Sequence, residues 1–257
     1  VYARRASGAA LVLKSLPMVY ALQMGLLWEV VLGIPLGYGM VASILLVGLY
    51  SLGGGLRAVV LTDALQFLLM FAGVIALVVC AYLQLGPIGE FVGRIPASFF
   101  QPCGGQSWGT VLLWLLIACT STFLSPTLYE RCLAARSERT ARWGILLCIP
   151  CWMLFDACIL IGALYARALI PEAPGAQAYL IFGLQLLPPG LKGLLLASVA
   201  ATLLSTLDSL LFASGSLLIG DVLGQRGKRA GLQRLVTLAL GCALSLVLAY
   251  VFGRNLE

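Results

Sequence analysis

Thr202, Ser205, Thr206, Asp208 and Ser209 lie together inside Ala197–Asp221 (ASVAATLLSTLDSLLFASGSLLIGD), a segment otherwise apolar enough to cross a bilayer. At about 100° per residue, Ala201, Thr202, Ser205, Ser209 and Ser216 fall on one side of a helix, with Asp208 at its edge. A helix facing only lipid has no use for such a stripe. An ionisable residue within a spanning segment is by default a functional-site hypothesis. Hydroxyl, carbonyl and carboxylate oxygens are the donors a small hard cation requires, so the stripe predicts one wall of a cation site. The plainer reading is that small hydroxyl residues pack helices closely.

Two further segments place polar groups at membrane depth. In GGGLRAVVLTDALQ (53–66) the glycines suit a tight turn, Arg57 suits the headgroups, and Thr62, Asp63 and Gln66 follow within the span. Asp63 and Gln66 are three residues apart and share a helix face. They read either as a polar lock between helices or as ion ligands. In SPTLYERCLAARSERTARWG (125–144), Pro126 is predicted to weaken the helix around Thr122. Ser121, Thr122, Ser125 and Thr127 supply hydroxyls there, for a pocket or for a kinked packing helix. Asp156 lies deep in an apolar stretch and must face a partner, water or a proton. Glu29 stands near the end of the first apolar run, at the interface.

The elements that position these groups are membrane helices. Of the 257 residues, 61% are hydrophobic and 10% charged, against about 25% charged in a soluble domain. Mean hydropathy is +1.03. Seven spans are predicted, at 11–32, 36–51, 56–83, 108–129, 143–169, 191–220 and 235–253. Breaks fall at Gly33–Pro35, at Gly53–Gly55 and in the loops 84–107, 130–142, 170–190 and 221–234. Residues 177–189 read as a short surface or re-entrant helix. Arg131–Arg142 reads as a loop helix whose basic residues meet anionic lipid. With the N-terminus inside, twelve Lys or Arg fall on the cytoplasmic side and four (Arg94, Arg167, Lys192, Arg254) outside. The net charge of +6 therefore brackets the spans and forms no continuous basic face, which argues against nucleic acid. There is no histidine, which removes His-dependent proteolysis, His-ligated zinc and haem ligation. The eight cysteines lie mostly in apolar segments and make no secreted disulfide framework. Cys148 and Cys151 have redox spacing but sit at the start of a span.

Three patterns occur in order: GGLRAVVLTDALQ at 54–66, SPTLYERCLAARSERTARWG at 125–144 and AATLLSTLDSLLFASGSLLIGD at 200–221. Together they resemble the sodium:solute symporter family, which includes proline, pantothenate, sialic acid and glucose carriers. The middle pattern departs in having Glu130-Arg131 where members commonly show Gln-Arg. The resemblance implies an all-α polytopic membrane protein with a partial LeuT-like inverted-repeat (5+5) transporter fold. This chain would supply core helices three to nine. Residues 1–83 would close the first repeat as helices three to five, and 108–253 would form helices six to nine. The chain thus reads as incomplete, with the missing helices of the same polypeptide as partners.

By the same resemblance, the main sodium site joins backbone oxygens of core helix one to helix eight. The matching positions here are Thr202, through its carbonyl, Ser205 and Thr206. Alanine is usual at the first of these. A second sodium site in some members would fall on Asp63, Ser205, Asp208 and Ser209. Asp208 stands where the two-sodium sialic acid carrier has Ser, and it reads alternatively as a gating or stabilising residue. Ser125 and Thr127 are pocket candidates, with Glu29 and Asp156 as further ones. The implied activity is Na+-coupled symport of a small organic solute into the cell by alternating access. The setting would be the plasma (inner) membrane, with lipid around the chain and the N-terminus cytoplasmic. No nucleophile–base pair points to an enzyme. The competing reading is a transporter-like sensor module that binds ion or solute without carrying flux. The chain alone, lacking the helix-one half of the sodium site, is expected not to couple transport.

Overall fold

Runs of leucine, alanine, valine and methionine favour helix, and in hydrocarbon a helix satisfies its backbone groups within its own segment. The computed structural model describes residues 2–101, 103–224 and seven positions between 235 and 251, and its described residues form helices and turns without a strand. The helices are α1 (Tyr2–Lys14), α2 (Met18–Leu32), α3 (Leu36–Leu85), α4 (Trp108–Phe123), α5 (Pro126–Ala134), α6 (Glu138–Leu169), α7 (Gly175–Leu186) and α8 (Pro189–Leu217). Two 3-10 segments, Ile88–Arg94 and Ala97–Phe100, lie between α3 and α4, and a π-helical turn, Leu218–Val222, continues α8.

Five stretches are long and apolar enough to cross a membrane: Tyr2–Leu32, Leu56–Leu85, Trp108–Ala134, Glu138–Leu169 and Pro189–Val222. The protein is an all-α, multi-pass membrane protein. α4 illustrates the solvent it expects, since Leu112, Leu113, Leu115, Leu116 and Ile117 are all exposed. A helix apolar on every side and uncovered by protein belongs in lipid.

Several expected boundaries move. The span drawn at 11–32 is interrupted, because α1 stops at Lys14 and Pro17 stands at the N-cap of α2. The break expected at Gly53–Gly55 is absent, and α3 runs through it for 50 residues. Glycine costs a helix about 1 kcal/mol each but does not forbid it, and no proline intervenes. The span drawn at 36–51 is not a separate helix and belongs to that same α3. Pro150 sits inside α6 without ending it, whereas Pro126 opens α5 at its first turn, where its missing N–H is no loss. The expected loop helix over Arg131–Arg142 is split by Ala135–Ser137, with the Ser137 hydroxyl accepting from the Thr140 N–H to cap α6. Most of the seventh expected span, 235–253, and of the basic loop 221–234 lies outside the described residues.

The chain forms two compact units, residues up to Leu68 with those from Ala200 onward, and Leu69–Val199. In the first, Ala21, Leu36, Met40, Ile44 and Val47 of α2 and α3 pack with Leu207 and Leu211 of α8. The α2–α3 hairpin closes on glycine. A Cβ on Gly39 would stand 2.8 Å from Trp28 Cβ and 3.2 Å from the Gly25 backbone. The Trp28 indole N–H donates to Ser43 Oγ at 2.8 Å, and Ser43 donates in turn to the Gly39 carbonyl. α1 lies along the π-helical turn. Arg4 Nε meets Asp221 Oδ1 at 3.1 Å and its Nη2 donates to the Gly220 carbonyl, capping the end of α8.

In the second unit, Leu77 and Ala81 of α3, Tyr165 and Ala166 of α6, Phe182 of α7, Leu187 and Leu195 form the core. Tyr165 stacks on Phe182 with centroids 6.2 Å apart and donates to the Gly86 carbonyl. The segment 177–189 thus contributes buried side chains through α7 and Leu187 and does not lie wholly on the surface. Burial pushes the Tyr179 phenol of α7 well above its usual range. Gly73 lets α3 approach Ser198 of α8, whose hydroxyl donates to the Met70 carbonyl at 3.1 Å.

Replacing Gly39 with Ala forces two backbones apart and is expected to destabilise the fold by about 1–3 kcal/mol, as overpacking does. Gly144, helical on α6 with open space for 4 Å around the position a Cβ would take, is the control. Gly144→Ala is expected to be neutral or stabilising by up to about 1 kcal/mol. Thermal melts of the two variants in detergent check the contrast, and equal melting temperatures would refute it.

Candidate functional site

α8 carries the polar stripe as expected, with Asp208 fully buried, Ser209 buried and Thr202, Ser205 and Thr206 half-buried. The hydroxyls are turned onto their own helix. Ser205 Oγ and Thr206 Oγ1 both donate to the Thr202 carbonyl at 3.2 Å, and Ser209 Oγ reaches the Ser205 carbonyl at 2.7 Å. Such back-bonding is how a helix in lipid satisfies a hydroxyl, and it locally loosens the backbone ladder. A hydroxyl that donates its proton in this way keeps its lone pairs, so each oxygen remains an acceptor for a cation. The Thr202 carbonyl is engaged by two donors in this arrangement. Its use as a ligand requires those hydroxyls to turn.

Asp208 joins α8 to α3 within the first unit. Its Oδ2 accepts from the Tyr50 phenol at 2.7 Å and stands 3.4 Å from Thr62 Oγ1, while Ser209 Oγ lies 3.2 Å from its Oδ1. Thr62 Oγ1 is also 2.9 Å from the Val59 carbonyl and 3.1 Å from that of Ala58, so its single proton is shared. Asp63 and Gln66 follow Thr62 on α3, and each buries one side-chain oxygen, Oδ1 and Oε1 respectively. The structure therefore brings the Tyr50 and Thr62 hydroxyls of α3 to the buried carboxylate of α8 and its neighbouring Ser209. Sodium-sized cations are held by this kind of oxygen set.

Other residues singled out in the sequence stand apart from that contact. Ser125 and Thr127 pair with each other at 3.0 Å, Ser125 at the N-cap of α5 and both half-buried. Glu29 is exposed in the last turn of α2, where its carbonyl receives the Gly33 N–H. Asp156 is exposed on α6 and makes no hydrogen bond or ion pair among the described residues, so the partner expected for it does not come from them. Cys148 and Cys151 are free thiols. Tyr50 is the member that the sequence reading missed. It ends an apolar run and meets Asp208 from 158 residues away, a separation no local pattern reveals.

Removing the phenolic oxygen with Tyr50→Phe deprives the buried Asp208 carboxylate of the donor at 2.7 Å. A hydrogen bond to a charged group contributes about 1.5–3 kcal/mol, and a loss of that size is expected in detergent melts. An unchanged melting temperature would show that Tyr50 does not hold Asp208.

The sequence profile of the Sodium:solute symporter family matches residues 11–252. The sodium/pantothenate symporter of Haemophilus influenzae is 28% identical over 204 residues, covering 76% of this chain and 42% of that protein. The sodium/pantothenate symporter of Escherichia coli is 27% identical over 237 residues, covering 86% and 49%. The sodium/glucose cotransporter 1 of Sus scrofa is 24% identical over 255 residues, covering 80% and 38%. The chain spans less than half the length of these relatives. Since the family profile runs through both the α3 segment of Tyr50, Thr62 and Asp63 and the hydroxyl stripe of α8, the chain belongs to the sodium:solute symporter family, whose members are transporters and not enzymes.

Proposed function

We propose that the protein carries a small organic solute into the cell by sodium-coupled symport. The observation that supports this best is the α3–α8 contact, where Ser209 Oγ lies 3.2 Å from the buried Asp208 carboxylate and Ser205 and Thr206 keep acceptor lone pairs on the preceding turn of α8. Thr202, Ser205 and Thr206 are the proposed ligands of a main sodium ion. Asp63, Ser205, Asp208 and Ser209 are proposed for a second ion or a gate. The relatives named above bear the names of pantothenate and glucose carriers, and a small hydrogen-bonding solute is the class proposed here. Ser125, Thr127, Asp156 and Glu29 are its candidate contacts, completed by the length that the relatives possess beyond this match.

In this reading the fold is a LeuT-like inverted repeat in the plasma membrane with a cytoplasmic N-terminus, and sodium binding at α8 stabilises the outward-open state. Closure occludes ion and solute, and low cytoplasmic sodium drives release inward. A monovalent cation moving down an inward-negative potential gains about 2.3 kcal/mol per 100 mV. That supports a solute gradient of roughly fifty-fold from the potential alone. Because the coupling is a free energy, solute must tighten sodium binding as much as sodium tightens solute binding.

The test is uptake by the full-length protein in proteoliposomes, with an inward sodium gradient against potassium and a panel of solutes including pantothenate and glucose. Sodium-dependent accumulation is expected, reduced at least about tenfold by Ser205→Ala or Thr206→Ala. Asp63→Asn is expected to weaken the sodium dependence separately. Uptake at the same rate in potassium would sink the sodium coupling. Saturable sodium binding with no accumulation of any solute would favour a sensor instead.

A further inference from the structure

Arg139 and Arg142 stand in the first turns of α6, with Arg136 just before them between α5 and α6. All three are exposed, and none makes a hydrogen bond or ion pair among the described residues. Glu138 shares the turn but forms no ion pair with them. Like charges three apart on a helix repel, so this grouping costs stability unless an anion joins it. Arg139, Arg142, Trp143 and Leu146 are spaced i, i+3, i+4 and i+7, and Pro150 and Met153 continue the same face. Every one of them is exposed. Phe155 lies half a turn round from Leu146, and it packs on Phe71 of α3 with centroids 5.6 Å apart. The stripe is therefore the side of α6 turned away from its own core.

Along the helix the stripe changes in the order of a phospholipid: guanidiniums first, then an indole, then apolar side chains. Trp143 suits the headgroup level. From Trp143 to Met153 is about 15 Å of helix, the hydrocarbon depth of one leaflet. We propose that this face of α6 is a binding site for an anionic phospholipid. The headgroup phosphate sits on Arg136, Arg139 and Arg142, and an acyl chain lies along Leu146, Pro150 and Met153. A guanidinium grips a phosphate through two parallel N–H···O bonds. A free phosphate offers the arginines the same contact but nothing to Trp143, Leu146 and Met153, so the lipid is the occupant. Each guanidinium beside an anionic surface tightens the association about fivefold.

Thermal melts of the delipidated full-length protein in detergent, titrated with phosphatidylglycerol or phosphatidylcholine, test the assignment and need neither sodium nor solute. Phosphatidylglycerol is expected to raise the melting temperature saturably, with half-saturation at least about tenfold below that of phosphatidylcholine. Combining Arg136→Gln, Arg139→Gln and Arg142→Gln is expected to raise the phosphatidylglycerol half-saturation at least about tenfold and leave that of phosphatidylcholine unchanged. Arg139→Lys with Arg142→Lys keeps the charge and is expected to lose less. Equal protection by the two lipids, or a half-saturation unmoved in the triple variant, would overturn the proposal. Equal protection by soluble glycerol phosphate would assign the arginines to a free anion and overturn it too. If the triple variant does not fold, Arg139→Gln alone decides: a rise of about fivefold is expected, and no change would reject the site.

Discussion

The buried Asp208 carboxylate is the constraint around which the first unit is arranged. Taking a carboxylate out of water costs several kcal/mol even after relaxation, and the cost is tolerable only if other groups are brought to it. Tyr50 and Thr62 come from α3 and Ser209 from α8 itself. Bringing them there requires α3 and α8 to lie side by side at a particular rotation, with Leu207 and Leu211 turned onto Met40, Ile44 and Val47. The polar contact sets the register, and the apolar packing around it excludes solvent.

Close approach between helices is the second requirement, because in lipid no hydrophobic force distinguishes helix contact from tail contact. Small residues meet it. Gly25 and Gly39 bring α2 and α3 backbone to backbone, and Gly73 receives Ser198. Hydrogen bonds then fix each contact: Trp28 to Ser43 in the hairpin, and Ser198 to the Met70 carbonyl in the second unit. Where such devices are missing, as along α4, the chain offers leucine and isoleucine on every side.

Membership of the sodium:solute symporter family and the geometry of α8 bear on each other through the chemistry of hydroxyl groups. Ser205, Thr206 and Ser209 donate to backbone carbonyls of the preceding turn, so they cost little when no ion is present. Their lone pairs remain free to accept, which is what the proposed ligand role asks of them. A proposed site built this way needs few charges. That suits an ion which must bind, cross and leave.

How far the sequence went differs from residue to residue. Composition and hydropathy determined the class, because a chain this apolar can satisfy its backbone only as helices in a bilayer. Periodicity determined that Thr202, Ser205 and Ser209 share a face, since the helical repeat depends on nothing outside the segment. Proline was an uneven guide: Pro126 opens α5, Pro17 interrupts a span drawn as continuous, and Pro150 sits inside α6 without ending it. Glycine was a weaker guide: the triplet at 53–55 read as a break, yet the helix continues, because glycine lowers helix stability without blocking it. Only the tertiary structure decided the partners of Asp208. Tyr50 and Thr62 reach it from far along the chain, and long-range pairing depends on how two helices rotate against each other, which their own sequences do not encode. The same holds for Arg4 on Asp221 and for Asp156, whose exposed place on α6 follows from where its neighbours packed and not from its depth in an apolar run.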